Sequence, residues 1–88
     1  MTRFTRNLRW AMCDQGLSSA ALAERLPITW GAAKDKTSTL QGRTNRVRHY
    51  ARGSQDPKLD TVEILADGLG IPPAVLAFGD VKEWRERE

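Results

Sequence analysis

The stretch that most constrains the fold is 44–70, TNRVRHYARGSQDPKLDTVEILADGLG, because it spells a helix, a stop, a turn and a second helix in order. Val47, Tyr50 and Ala51 fall at i, i+3 and i+4, so they share one face of a helix over 44–52. At 100° per residue, Asn45, His49 and Arg52 point the opposite way, with Arg46 and Arg48 on the flanks. Gly53 suits a helix stop, since it alone takes a positive φ without a Cβ clash. Pro57 in the polar turn that follows blocks any continuation of the first helix. A second helix is expected from Asp60, a good N-cap residue, with Val62, Leu65, Ala66 and Leu69 on its inner face and Gly70 at its end.

The charge distribution sharpens this reading. Residues 34–58 carry seven cations (Lys34, Lys36, Arg43, Arg46, Arg48, Arg52, Lys58) against Asp35 and Asp56. Residues 59–88 carry three cations against seven anions, so the net charge of +3 is strongly polarised along the chain. A polyanion is the natural partner of the positive pole. A short helix rooted by two or three apolar residues, with a cationic face to solvent, has the design of a DNA-reading helix. Lys34 and Lys36, beside that helix, are placed to track a phosphate backbone, as is Arg43.

Eighty-eight residues allow one domain with one small core, and 40% hydrophobic residues suffice for a helical one. Cys13 is the only cysteine, which fits a reducing, cytoplasmic setting. No run is apolar enough to suggest a signal peptide or a membrane span. One histidine, one cysteine and no convergent carboxylate set argue against an enzyme, and nothing points to a metal, a cofactor or a small-molecule substrate.

The remaining elements follow from apolar periodicity. Phe4, Leu8, Ala11 and Met12 mark a helix over 3–15, with Gly16 as its stop. Ser18 caps a helix over 19–26 whose inner face is Leu22, Ala23 and Leu26. Residues 27–43, PITWGAAKDKTSTLQGR, have no clear period. An extended loop, a short helix around 32–36 and a small β excursion all remain open there, with Trp30 and Leu40 as candidate tethers. A fifth helix is expected over 73–78, followed by a charged tail at 80–88 that either extends that helix or is loose. The expectation is an all-α, five-helix domain over 1–79.

The order of motifs resembles a known family. Leu8-Arg9, Gly16-Leu17-Ser18 and Leu22-Ala23-Glu24-Arg25-Leu26 are similar to the opening of the lambda-repressor-like helix-turn-helix domains, the Xre/Cro family. The similarity resumes at Val47–Gly53 and runs through Pro57, Leu59, Thr61, Val62, Leu65-Ala66 and Leu69-Gly70-Ile71. Three features depart from the pattern. About a dozen extra residues separate helices two and three, where the family has a tight turn. Ser19 stands where the family often has glutamine, and Ala51 where an acidic residue is usual.

The resemblance implies a sequence-specific DNA-binding transcriptional regulator, like a small Cro-type repressor of a phage or bacterium. It places helix 44–52 in the major groove of double-stranded DNA. Thr44, Asn45, Arg46, Arg48 and His49 would then read bases, Asn45 pairing with adenine and an arginine with guanine. Ser19, Arg52 and Lys58 would hold phosphates. A single short helix reads few base pairs, so a weak homodimer completed on DNA is expected, with Val75, Phe78, Val81 and Trp84 as candidate contacts. The competing reading is an antitoxin-type protein-interaction module using the same fold, its acidic C-terminal third forming the partner surface.

Overall fold

The computed structural model describes residues 2–32 and 36–87. Six helices appear among them, and no strand: α1 Arg3–Asp14, α2 Ser19–Glu24, α3 Leu40–Arg52, α4 Leu59–Leu69, α5 Pro73–Phe78 and α6 Val81–Glu86. The all-α expectation holds, with one helix more than the sequence periodicity marked.

The expected stripe of α1 is buried throughout: Phe4, Leu8, Ala11 and Met12 all lie in the core. Thr2 caps this helix by accepting from the Thr5 amide. Its end is closed by Gly16 at φ +66°, which lets the Leu17 amide turn back to the Met12 carbonyl at 2.8 Å. Ser18 caps α2 as expected, accepting from the Ala21 amide.

Helix α3 starts four residues before the apolar pattern announced it. Thr39 is its N-cap, accepting from the Gly42 amide. Its inner face is Arg43, Thr44, Val47 and Tyr50. Two of these four are polar, so a search for apolar periodicity found only the second half of the helix. Gly53 ends it at φ +77°.

Helix α4 is capped by the backbone of Lys58 rather than by Asp60. Asp60 sits in the first turn, where its charge complements the helix dipole, and its Oδ1 accepts from the Thr61 amide. The inner residues Val62, Leu65, Ala66 and Leu69 are buried as the spacing required.

Residues 80–88 are not a loose tail over their described part. Asp80 caps α6 by accepting from the Glu83 amide. Val81 is 1% exposed in the core, and half-buried Trp84 packs against it. Gly79 makes the break from α5 possible: a Cβ there would lie 2.9 Å from the Val75 Cα.

Buried Asn7 of α1 fixes this C-terminal pair. Its Nδ2 donates to the carbonyls of Val75, Leu76 and Gly79, at 3.2, 2.9 and 3.0 Å. Its Oδ1 accepts from the Val81 amide. One side chain thus serves four backbone groups around the helix-to-helix break, the Val75 carbonyl among them also accepting from the Gly79 amide.

Candidate nucleic-acid interface

Helix α3 is held from below by an aromatic cluster and from the side by the long segment before it. Tyr50 meets Phe4 edge-to-face at 6.4 Å and Trp30 at 6.2 Å. Trp30, from residues 27–39, is buried, so the insert is anchored to the core by the tether the sequence offered. Leu40 is no tether: it opens α3 and stays 40% exposed. The insert's neck is closed by Ser38, whose amide and Oγ both donate to the Ile28 carbonyl, at 2.6 and 2.8 Å. A turn covers 28–31.

With its inner face so fixed, α3 turns one stripe outward: Gln41, Asn45, Arg48, His49 and Arg52, all exposed. Of the residues expected to read bases, Asn45, Arg48 and His49 lie on it. Thr44 does not. It is buried, and its hydroxyl donates to the Leu40 carbonyl at 2.8 Å. A committed side chain on the core face cannot touch a base edge, which corrects that expectation.

Arg46 occupies an intermediate place. Its guanidinium carbon lies 5.0 Å from the Trp30 ring centroid, a cation–π stack. Its Nε is buried with no hydrogen-bond partner among the described residues. The side chain passes over Gly31, where a Cβ would come within 2.5 Å of the Arg46 Cδ. Arg46 therefore joins the insert to the helix, and base reading would require it to leave that stack.

Arg43, expected at a phosphate, is mostly engaged within the fold. It is 7% exposed, and its donors go to the Ala23 carbonyl, the Ser38 carbonyl and the Ser38 hydroxyl. It bridges α2 to the end of the insert, replacing the tight turn that is absent from this chain. Its Nε and Nη1 are thus committed to the fold, and Nη2 alone makes no hydrogen bond among the described residues.

Beside the exposed stripe is an open cleft lined by Arg9 of α1, Ser19 of α2, and Arg48, Ala51 and Arg52 of α3. The three arginines make no hydrogen bond or ion pair among the described residues. Ala51 supplies no charge, so the lining is cationic without a carboxylate. Three unpaired cations around a concavity create a strong positive potential that favours a phosphate-sized anion. Ser19 and Arg52 were expected to bind phosphate; Arg9 was not. Its only signal in the sequence is a cation beside the apolar stripe of α1, and the packing of α1 on α3 gives it a destination.

Lys36 and Lys58 are exposed, and Lys34 lies outside the described residues. Among the expected dimer contacts, Val81 belongs to the core, while Val75 and Trp84 are half-buried against it. Val81 is therefore not available as a dimer contact. Phe78 is 76% exposed.

Among the described residues, no group of three or more His, Cys, Asp or Glu is arranged to hold a metal ion. No helix among the described residues is long and apolar enough to cross a membrane. Comparisons with protein-family models, with curated proteins and with solved structures find no match for the chain.

Proposed function

We propose that this chain is a sequence-specific DNA-binding regulator built as a lambda-repressor-like helix-turn-helix domain, with α3 as its reading helix. The observation that carries the reading is the pairing of an exposed polar stripe on α3 with a cleft beside it of three arginines that have no partner among the described residues. The stripe offers groups that can discriminate bases, and the cleft offers groups that can hold a backbone. Asn45 would make paired hydrogen bonds to adenine, Arg48 would address guanine N7 and O6, and His49 would lie over the centre of the contact. Arg9, Arg52 and Ser19 would seat a phosphate, with exposed Lys36 and Lys58 as outlying contacts.

The described part of the insert supports this role by anchoring α3. Trp30, Arg43 and Arg46 tie it to α2 and α3, so the reading helix is fixed before any ligand arrives. Preorganisation of this kind lowers the ordering cost of binding.

The test is selection of duplexes from a randomised pool by the purified protein. The reading predicts an enriched motif that binds at least about a thousandfold more tightly than scrambled DNA. A pool that stays random through repeated rounds would refute it. The same outcome would favour a protein-interaction module.

A further inference from the structure

Arg43 and Arg46 both reach from α3 to the insert, yet their donors are used differently. Arg43 commits Nε and Nη1 to carbonyls of the fold. Arg46 commits none. Its guanidinium lies 5.0 Å from the Trp30 ring centroid and makes no hydrogen bond or ion pair among the described residues. Its Nε is buried there without a partner, while its Nη atoms, equally unpartnered, are not buried. A joint that served only to hold the insert would engage those donors, as Arg43 does. An arginine with a fixed position and uncommitted outer donors is prepared for an anion.

Its place around the helix names that anion. A helix in the major groove, which is about 12 Å wide, has a phosphate strand on each side. The cleft of Arg9, Ser19, Arg48, Ala51 and Arg52 flanks the exposed stripe on one side only. Counted from Asn45 at about 100° per residue, Arg48 and Ala51 lie roughly 60° and 120° one way, and Arg46 roughly 100° the other. We propose that Arg46, while stacked on Trp30, binds a phosphate of the strand opposite the one seated in the cleft, so that the insert completes a two-sided clamp on the duplex. This rests on the DNA-reading proposal and assigns Arg46 to the backbone rather than to a base.

Trp30 is the positioning residue. It is buried and packs on Tyr50, with 6.2 Å between ring centroids. Tyr50 belongs to the inner face of α3, so the ring is fixed relative to the helix. Gly31 leaves room for the Arg46 chain to cross, since a Cβ there would lie 2.5 Å from the Arg46 Cδ. The guanidinium is therefore placed before DNA arrives, and less rotamer freedom is lost on binding.

A methylphosphonate scan of a selected duplex, which neutralises one phosphate at a time, tests the clamp. The wild-type chain should lose affinity at phosphates on both strands. Arg9→Ala should become insensitive to neutralisation on one strand and Arg46→Ala on the other. Arg46→Ala should also weaken selected and scrambled duplexes alike, by about tenfold. Gly31→Ala keeps the charge and the tryptophan but displaces the guanidinium. It should reproduce the Arg46→Ala map, and should add nothing in an Arg46→Ala background, read at a temperature where melting curves show each variant folded. The inference is overturned by an Arg46→Ala map identical to wild type, or by a loss on the same strand as Arg9→Ala. An altered enriched motif in Arg46→Ala, or a wild-type map in Gly31→Ala, would overturn it too. In all four cases wild-type duplex binding stands, and with it the DNA-reading proposal. A wild-type chain that binds no duplex overturns both.

Discussion

Gly31→Ala probes the joint between the insert and the reading helix. Gly31 sits at φ +78°, which costs a residue with a Cβ roughly 1–2 kcal/mol. The added Cβ would also lie 2.5 Å from the Arg46 Cδ and 2.7 Å from its Nε. Those atoms are mid-chain, so Arg46 must swing away and give up its stack on Trp30, worth about 0.5–2 kcal/mol. Part of this is offset, because the Nε that is buried without a partner regains water. The net loss should be about 2 kcal/mol, which for a domain of this size lowers Tm by about 8–16 °C. Calorimetry on a double-mutant cycle isolates the cause. In an Arg46→Ala background the clash is gone, and Gly31→Ala should cost only the backbone term of about 1 kcal/mol. Gly70→Ala, at φ +68° with open space around it, is the control for that term. If Gly31→Ala costs the same with and without Arg46, or no more than Gly70→Ala, the joint described here does not exist.

Three further outcomes follow from the same geometry. Arg48→Ala should cost about 1–3 kcal/mol on a selected duplex and relax specificity, whereas Arg9→Ala should weaken selected and scrambled duplexes alike, as measured by fluorescence anisotropy. Thr44→Val should leave DNA affinity within about twofold of wild type, because its hydroxyl serves the Leu40 carbonyl; a loss like that of Arg48→Ala would return Thr44 to the reading face. Asn7→Asp should destabilise the fold by about 3 kcal/mol or more at neutral pH, since it sets a carboxylate against three carbonyls. Its pKa in the fold would rise above the unfolded value, so the native state holds the extra proton. Stability should therefore fall as pH increases through the window between those two values, and denaturation curves across that window check the sign.

Most of the fold was legible because its signals are local. The stripes of α1, α2 and α4, the Ser18 cap and the Gly53 stop depend on residues a few positions apart, and all stand in the structure. The first turn of α3 was hidden because Arg43 and Thr44 occupy its inner face, their polar atoms taken up by the carbonyls of Ala23, Ser38 and Leu40. A side chain's partners seventy residues away, as for Asn7, leave no periodic mark. Residues 80–88 read as a charged tail because, among the described residues there, only Val81 is deeply buried, and one buried residue makes no stripe. In the candidate site, Asn45, His49 and Arg52 were legible as one helix face, with Arg48 on its flank. Arg9 was not, because its place in the cleft depends on how α1 packs against α3.

The most direct test of the account is the salt dependence of affinity for a selected duplex. If Arg9, Arg52, Lys36 and Lys58 neutralise phosphates, log affinity should fall against log salt with a slope of about −3 to −4 per bound copy. Arg9→Ala should make that slope shallower by about one. A slope near zero, or one unchanged by Arg9→Ala, would contradict the claim that this cleft and the α3 stripe together hold DNA.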